Sequence, residues 1–273
     1  MYLAIDVGGT KTLLAAFNRD GTIKKQQKFP TPKVYSEFIT TLKKEASSVC
    51  GGIVPDSCAI ALPGALDRTQ GIALDFGNLS WQDVSITQDV SDSISCPIYL
   101  ENDAKLAGLA EAEAVKDLYS RVLYVTVSTG IGLGLTVDGQ IDYSVHDAGG
   151  RAIMMEHQGK IMAWEEFASG KAIVRQTGKM ASEITDEKDW YLVSRNIAIG
   201  LIDLIVTLSP EVIVMGGGVG AHLEKYQEHL HEELELYRNK MLRKMPQIIK
   251  SQHPEEAVIY GGYLLCSNKS ASH

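Results

Sequence analysis

Cysteine is scarce in this chain. The 273 residues include four, Cys50, Cys58, Cys96 and Cys266. They lie far apart, with no C-x-x-C pair and no histidine-rich segment beside them. That excludes a disulfide framework and a zinc site of the usual spacing, and leaves reduced, buried or half-buried thiols. Positive charge is in deficit too: 26 Lys and Arg stand against 34 Asp and Glu, a formal net charge of -8. A nucleic-acid binder needs a basic stripe to neutralise phosphates, and the sequence has none. The opening MYLAIDVGG lacks a basic segment followed by a long apolar run, and no later stretch reads as the ~18 apolar residues that span a bilayer. These absences predict a cytoplasmic protein with no nucleic-acid or membrane partner. No Pro/Ser-rich linker or low-complexity tract divides the chain, so two lobes, if present, are expected to pack together with a cleft between them.

What is present is an ordinary globular composition, 45% hydrophobic and 22% charged, enough for one large domain or two smaller ones. The N-terminus reads as three strands, YLAID, TLLAAFN and TIKKQQK, separated by the glycine turn VGGTK and the hairpin turn RDG. The same plan returns as VLYVTV, the glycine turn STGIG, LGLTV, the turn DG and QIDYSV, the signature of an internal duplication. Between the copies the pattern predicts a helix over Tyr35 to Cys50, strands CAIALP and PIYLEN, and a helix from Asp103 to about Lys116. Beyond them it predicts helices over Ala163 to Gln176, Trp190 to Leu208 and Leu223 to Met245, a strand EVIVMGG, and an apolar helical face in EEAVIYGGYLLC.

Four features carry chemistry. In IDVGGTKT, Gly8 and Gly9 can adopt positive φ and bring backbone N–H groups to a phosphate, Thr10 and Thr12 can offer hydroxyls, and Lys11 a point charge. Asp6 could hold Mg2+ directly or through water, since Mg2+ prefers hard oxygen ligands and keeps part of its hydration. The second turn, with Ser128, Thr129, Gly130 and Gly132, offers the same chemistry from the other copy. Neither turn has P-loop or dinucleotide-fingerprint spacing. The strand ending in Gly216, Gly217 and Gly218 suits a nucleotide base and ribose lying against bare backbone. The strand PIYLEN delivers Asp103 to a helix start, where it is expected to cap the helix and, favoured as an anion by the dipole, to act as a base toward a hydroxyl. Phosphoryl transfer asks little more of a protein than such a carboxylate, Mg2+ and N–H donors around the transferred group.

DVGGTKT, ALPGALD, GNLSW, ENDA, VSTGIGLG, WEEFASGKA and SPEVIVMGGGVG, in this order and spacing, resemble the ROK family of the actin-like ATPase superfamily. The resemblance covers nearly the whole chain. It implies an α/β fold of two duplicated RNase-H-like lobes with mixed sheets and an interlobe cleft, closure on substrate, ATP and Mg2+ as cofactors, and a homodimer. The lobes are expected over residues 1–104 and 105–273, the last helix packing back on the first lobe. By the same resemblance Asp103 is the general base, Asn78, Asn102 and Glu165 bind sugar hydroxyls, and Gly64 lies in a turn lining that pocket.

The chain departs from the family where many relatives carry Glu-x-Gly-His and a cysteine-rich zinc loop. Here the segment reads HDAGGRAIMMEHQGKIMAWEE, so no zinc site is expected. Asp147 and Arg151 lie nearest the missing acid and histidine, with Glu156 and His157 as the other candidates or as plain exposed loop residues. Arg151, if it faces the pocket, would favour a substrate carrying a carboxylate or phosphate. The leading expectation is an ATP-dependent kinase of a hexose or N-acetylhexosamine. The alternatives are polyphosphate as donor, and a non-catalytic sugar sensor. A DNA-binding repressor fits less well, because relatives of that type carry a helix-turn-helix ahead of the motif that here lies within the first ten residues.

Overall fold

The computed structural model describes every residue except 77–78, 239–241, 243, 254–255 and 272–273. The chain divides into two compact units, one of residues 1–110 with 255–273, the other of 111–254. The division falls inside a helix that begins at Asp103, six residues beyond the expected boundary of 104/105.

The first unit starts with β1 (Tyr2–Val7), β2 (Lys11–Phe17) and β3 (Ile23–Pro30), an antiparallel meander. Helix α1 (Tyr35–Cys50) follows, burying Phe38, Leu42, Ala46 and Val49, one stripe at helical spacing, and ending on Gly51 at φ 61°. β4 (Ser57–Leu62) then pairs parallel to β1. A small sheet of β5 (Ala65–Asp67), β6 (Ile72–Asp75) and β7 (Gln82–Val84) comes next, then α2 (Ile86–Val90). β8 (Ile98–Asn102) joins parallel to β4 and runs into α3 (Asp103–Val115). The main sheet has the order β3-β2-β1-β4-β8.

The second unit repeats this plan. β9 (Arg121–Val127), β10 (Ile131–Val137) and β11 (Gln140–Asp142) form the meander. Its Asp138–Gly139 turn has both residues at positive φ, the primed geometry that matches strand twist. Then come the hairpin β12 (Met154–His157) and β13 (Lys160–Ala163), and helices α4 (Trp164–Ala168), α5 (Gly170–Thr177) and α6 (Glu187–Leu208). β14 (Val212–Gly216), α7 (Gly217–Gly220), α8 (Gln227–Glu235) and β15 (Gln247–Lys250) complete it. The sheet order is β11-β10-β9-β14-β15, with β14 parallel to β9 and β15 parallel to β14. The duplication expected from the strand and turn pattern is therefore repeated in the topology.

Helix α9 (Ala257–Ala271) belongs to the first unit, where Ile259 and Cys266 are buried with Tyr2, Ala4, Ala15, Phe17 and Ala59. Helices thus cover both faces of that sheet, and β1 and β4 are almost continuously apolar and buried, as such strands must be.

Several expectations need correction. The helix expected over Ala163 to Gln176 is broken at Ser169, whose extended backbone ends α4 and whose hydroxyl caps α5 at Ala172 N. Among the described residues, the long helix expected over Leu223 to Met245 is a 3-10 turn at Leu223–Lys225 followed by α8, and β15 beyond it was missed because its apolar residues are few and only half-buried. Helix α6 is long and apolar enough, by length and composition, to cross a membrane, contrary to the reading of no such stretch. The reason for its composition is tertiary: Trp190, Val193, Ile197, Leu201 and Leu204 are buried in the core of the second unit. The four cysteines, distant in sequence, influence one another around Cys58 in the first unit, and burial pushes the Cys96 thiol up to about 11 and that of Cys266 to about 12.

Candidate active site

Asp6 is the last residue but one of β1, and the turn that follows presents Gly8, Gly9 and Thr10, with Lys11 opening β2. Neither glycine has positive φ. Gly8 is required for space instead: a Cβ there would lie 2.9 Å from the Lys11 carbonyl oxygen that its own N–H binds at 3.0 Å. Thr10 and Lys11 are exposed, whereas Thr12 is fully buried with its hydroxyl 2.9 Å from Thr31 Oγ1. Thr12 thus supports the turn from within and has no hydroxyl to offer a phosphate.

Asp6 is half-buried, and its carboxyl is pushed up to about 7, first by desolvation and then by the nearby negative charge of Asp103, against a smaller pull from Lys11. Two carboxylates set this close at a strand end form the hard-oxygen arrangement that a divalent cation would relieve, so the residues present fit Mg2+ held by Asp6.

Asp103 is the first residue of α3, not its cap. The capping oxygen is Oδ1 of Asn102, which accepts from Ala104 N at 3.0 Å and Lys105 N at 3.3 Å. Asp103 Oδ1 accepts from Ala104 N at 2.7 Å and stays in the first turn, where the helix dipole favours negative charge. Asn102 is 2% exposed and gives Nδ2 to the carbonyl of Gly64 at 3.2 Å. Its oxygen and one of its two amide N–H groups are thus engaged in positioning. Gly64 itself has φ 94°, and a Cβ there would lie 1.9 Å from the Asp75 carbonyl oxygen. It fixes a close backbone crossing next to the α3 start. Asn78 lies outside the described residues.

Sequence reasoning missed the Arg68–Glu101 pair. Glu101, 1% exposed in β8, takes Arg68 Nε at 3.0 and 3.1 Å and also accepts from Asn102 N at 2.7 Å. A charged residue one position before the ENDA asparagine in an otherwise apolar strand was the available signal, since a buried carboxylate needs a partner.

In the second unit, Ser128 and Thr129 are exposed at the tip of the β9–β10 turn, with Ser128 N bonded to Gly130 O at 2.8 Å and Ser128 O to Gly170 N at 2.6 Å. Glu165 stands beside this turn. Its Oε2 accepts from Ile131 N at 2.8 Å, and a Cβ on Gly130 would lie 2.4 Å from that oxygen. Gly132 is the second residue of β10, opposite Thr126 on β9. Gly149 and Gly150 pack on Ile131, the latter also near the Glu165 Cβ, and Arg151 follows them exposed at the end of a 3-10 turn, with Asp147 half-buried just before it. Glu156 and His157 are not loop residues. They lie on β12, where Glu156 Oε1 accepts from Gly159 N at 2.6 Å and the His157 ring stacks on Phe167 with centroids 4.0 Å apart. Of the three glycines where β14 passes into α7, two are explained by packing. A Cβ on Gly216 would meet the Tyr124 ring and one on Gly217, at φ 77°, the Val127 carbonyl oxygen at 2.5 Å, whereas Gly218 faces open space.

The chain as a whole is similar to known proteins. The ROK family profile matches residues 2–269. A Bacillus subtilis (strain 168) protein bearing a fructokinase name is 32% identical over 238 residues, covering 80% of this chain and 77% of its own. The ROK hexokinase from Thermus thermophilus is 25% identical, with a TM-score of 0.84 over 100% of this chain and 99% of that one. A ROK glucokinase from Streptomyces griseus, crystallised with glucose and AMPPNP, is 20% identical with a TM-score of 0.80 over 97% and 98% of the two chains. The chain belongs to the ROK family, and its fold is that of the ROK sugar kinases.

Proposed function

We propose that the protein is a cytoplasmic sugar kinase, acting as a homodimer, that moves the γ-phosphoryl group of ATP to a hydroxyl of a hexose or N-acetylhexosamine. The sugar oxygen attacks the γ-phosphorus, the bond to the β-phosphate oxygen breaks, ADP leaves, and the hydroxyl proton passes to an Asp103 oxygen. The observation that carries this reading is the division of labour at the α3 start: Asn102 caps the helix, so the Asp103 carboxylate is not needed for the cap, and Asp6 lies close to it at the end of the strand that feeds the glycine turn.

Gly8, Gly9, Thr10 and Lys11 in one unit and Ser128, Thr129, Gly130 and Gly132 in the other are assigned to the donor phosphates, and Gly218 to the adenosine. Thr12, Gly216 and Gly217 keep these segments in shape. Mg2+ at Asp6 would neutralise phosphate charge. Glu165 and the Asp147–Arg151 segment remain the sugar-side candidates in the second unit, and Gly64 in the first. The kinase names of the relatives, among them a hexokinase and a glucokinase bound to glucose and AMPPNP, support the reaction class.

ADP release measured across a panel of neutral and anionic sugars, with ATP or polyphosphate as donor, tests the proposal. Turnover with ATP and a neutral hexose is expected. Turnover with polyphosphate alone would replace the donor, and sugar binding without turnover would make the protein a sensor. Asp103→Asn is expected to lower kcat by at least about 100-fold with nucleotide affinity kept. Full activity in that variant removes Asp103 from its role.

A further inference from the structure

The segment after β3 touches the first glycine turn in a way that no motif announces. Three successive carbonyl oxygens of the turn are each taken by this segment. Gly8 O accepts from Thr31 Oγ1 at 2.8 Å, Gly9 O from Lys33 Nζ at 2.7 Å, and Thr10 O from Thr31 N at 3.0 Å. The peptides are trans, so each carbonyl points opposite to the N–H of the next residue. Holding three carbonyls on the side of Thr31 and Lys33 therefore turns the N–H groups of Gly9, Thr10 and Lys11 the other way. A run of N–H groups facing one direction is an anion-binding nest, and a carbonyl rotated into it would repel a phosphate oxygen.

The hydroxyl protons can be assigned. Thr31 has one, which it gives to Gly8 O, so in its 2.9 Å contact with Thr12 it accepts and Thr12 donates. The relay Thr12 to Thr31 to Gly8 is buried, with Thr12 at 0% and Thr31 at 5% exposure. Lys33 differs, being exposed. Its main chain is anchored by Trp81 Nε1 donating to Lys33 O at 2.8 Å, with the Trp81 ring packed against Tyr35, Phe38 and Phe76. The ammonium group thus reaches the turn from a fixed base and brings a second cation to it beside Lys11.

We propose that Thr31 and Lys33 are positioning residues for the phosphoryl donor: together they hold the carbonyls of residues 8–10 away from the phosphate, and Lys33 adds positive charge at the turn. This rests on reading the turn as a phosphate site.

The test is steady-state kinetics with ATP and the preferred sugar on Lys33→Met, Lys33→Arg, Thr31→Val, Thr31→Ser and, as reference, Lys11→Met, with thermal unfolding of each. Lys33→Met and Thr31→Val are expected to raise KM for ATP about tenfold, the usual weight of a charge-assisted or buried hydrogen bond, with KM for the sugar within about twofold of the parent. Lys33→Arg and Thr31→Ser restore ATP affinity. A merely structural role would lower the unfolding temperature and shift both KM values together, which overturns the proposal. So does an unchanged KM for ATP in Lys33→Met, an exposed residue whose loss leaves the fold intact. If Lys11→Met raises KM for ATP and Lys33→Met does not, this inference alone fails. If neither changes it, the phosphate reading of the turn fails with it.

Discussion

Asn102 and Asp103 are adjacent, and the α3 start uses them differently. The asparagine spends both ends of its amide on Gly64 O and on the first N–H groups of the helix. Asn102→Ala is therefore expected to cost about 1–2 kcal/mol of stability in urea unfolding, the usual weight of a lost helix cap, and to lower kcat with little change in KM for the sugar. A tenfold rise in that KM with stability unchanged would instead make Asn102 a sugar contact. Glu101 holds the same corner from behind. Glu101→Gln leaves the Arg68 guanidinium without its carboxylate and is expected to destabilise by about 2–4 kcal/mol, measured the same way, somewhat less than for a fully buried pair because Arg68 keeps 27% side-chain exposure. None of this was legible in the ENDA motif, which marks the position but not which of its side chains is already engaged.

At the scale of elements, a glycine signal in the sequence mixes two causes. Gly217 has φ 77° and a would-be Cβ contact of 2.5 Å with Val127 O, while Gly218 next to it faces open space. Gly217→Ala is expected to lose about 2 kcal/mol or more by denaturant titration, and Gly218→Ala to stay within about 0.5 kcal/mol while raising KM for ATP if adenosine lies there. The sequence offered three equal glycines, and only the distance to β9 separates them. The start of the first sheet shows a charge effect at the same scale. Asp56 takes the N-terminal ammonium at 2.6 Å and Arg19 Nε at 2.9 Å, and these hydrogen bonds hold its carboxyl at about 2. A depressed folded-state value contributes stability above the ordinary carboxylate range, and that contribution is lost as pH falls toward 2. Asp56→Asn should therefore lower the melting temperature at pH 6 and converge with the parent near pH 2. A constant difference across that range would show that the ion pairs are not the cause.

At the scale of the whole molecule, the two units differ in continuity although their sheets share one strand order. The second unit is a single stretch of chain. The first needs α9, which arrives from the far end of the sequence and buries Tyr2, Ala4, Phe17 and Ala59. Gly261 and Gly262 let it lie close: a Cβ on Gly261 would be 1.9 Å from Leu106 O and one on Gly262 3.0 Å from the Ala4 Cβ. A fragment of residues 111–253 is expected to unfold cooperatively by circular dichroism. A fragment of residues 1–110 is not, because one face of its sheet stays uncovered.

The duplication, the place of both glycine turns and the delivery of Asp103 to a helix start were all legible in the amino-acid order. These are local matters, set by strand alternation, turn chemistry and order along the chain. Which polar side chains are engaged with one another emerges only when distant segments pack. Thr12 looks like a ligand contact in the sequence and is taken up by Thr31, Asn102 gives one amide N–H to Gly64, and Lys33, unremarkable in the sequence, meets the carbonyl of Gly9. A hydrogen bond uses up a donor, and its partner lies 19, 38 or 24 residues away in these three cases, a separation that no local pattern encodes.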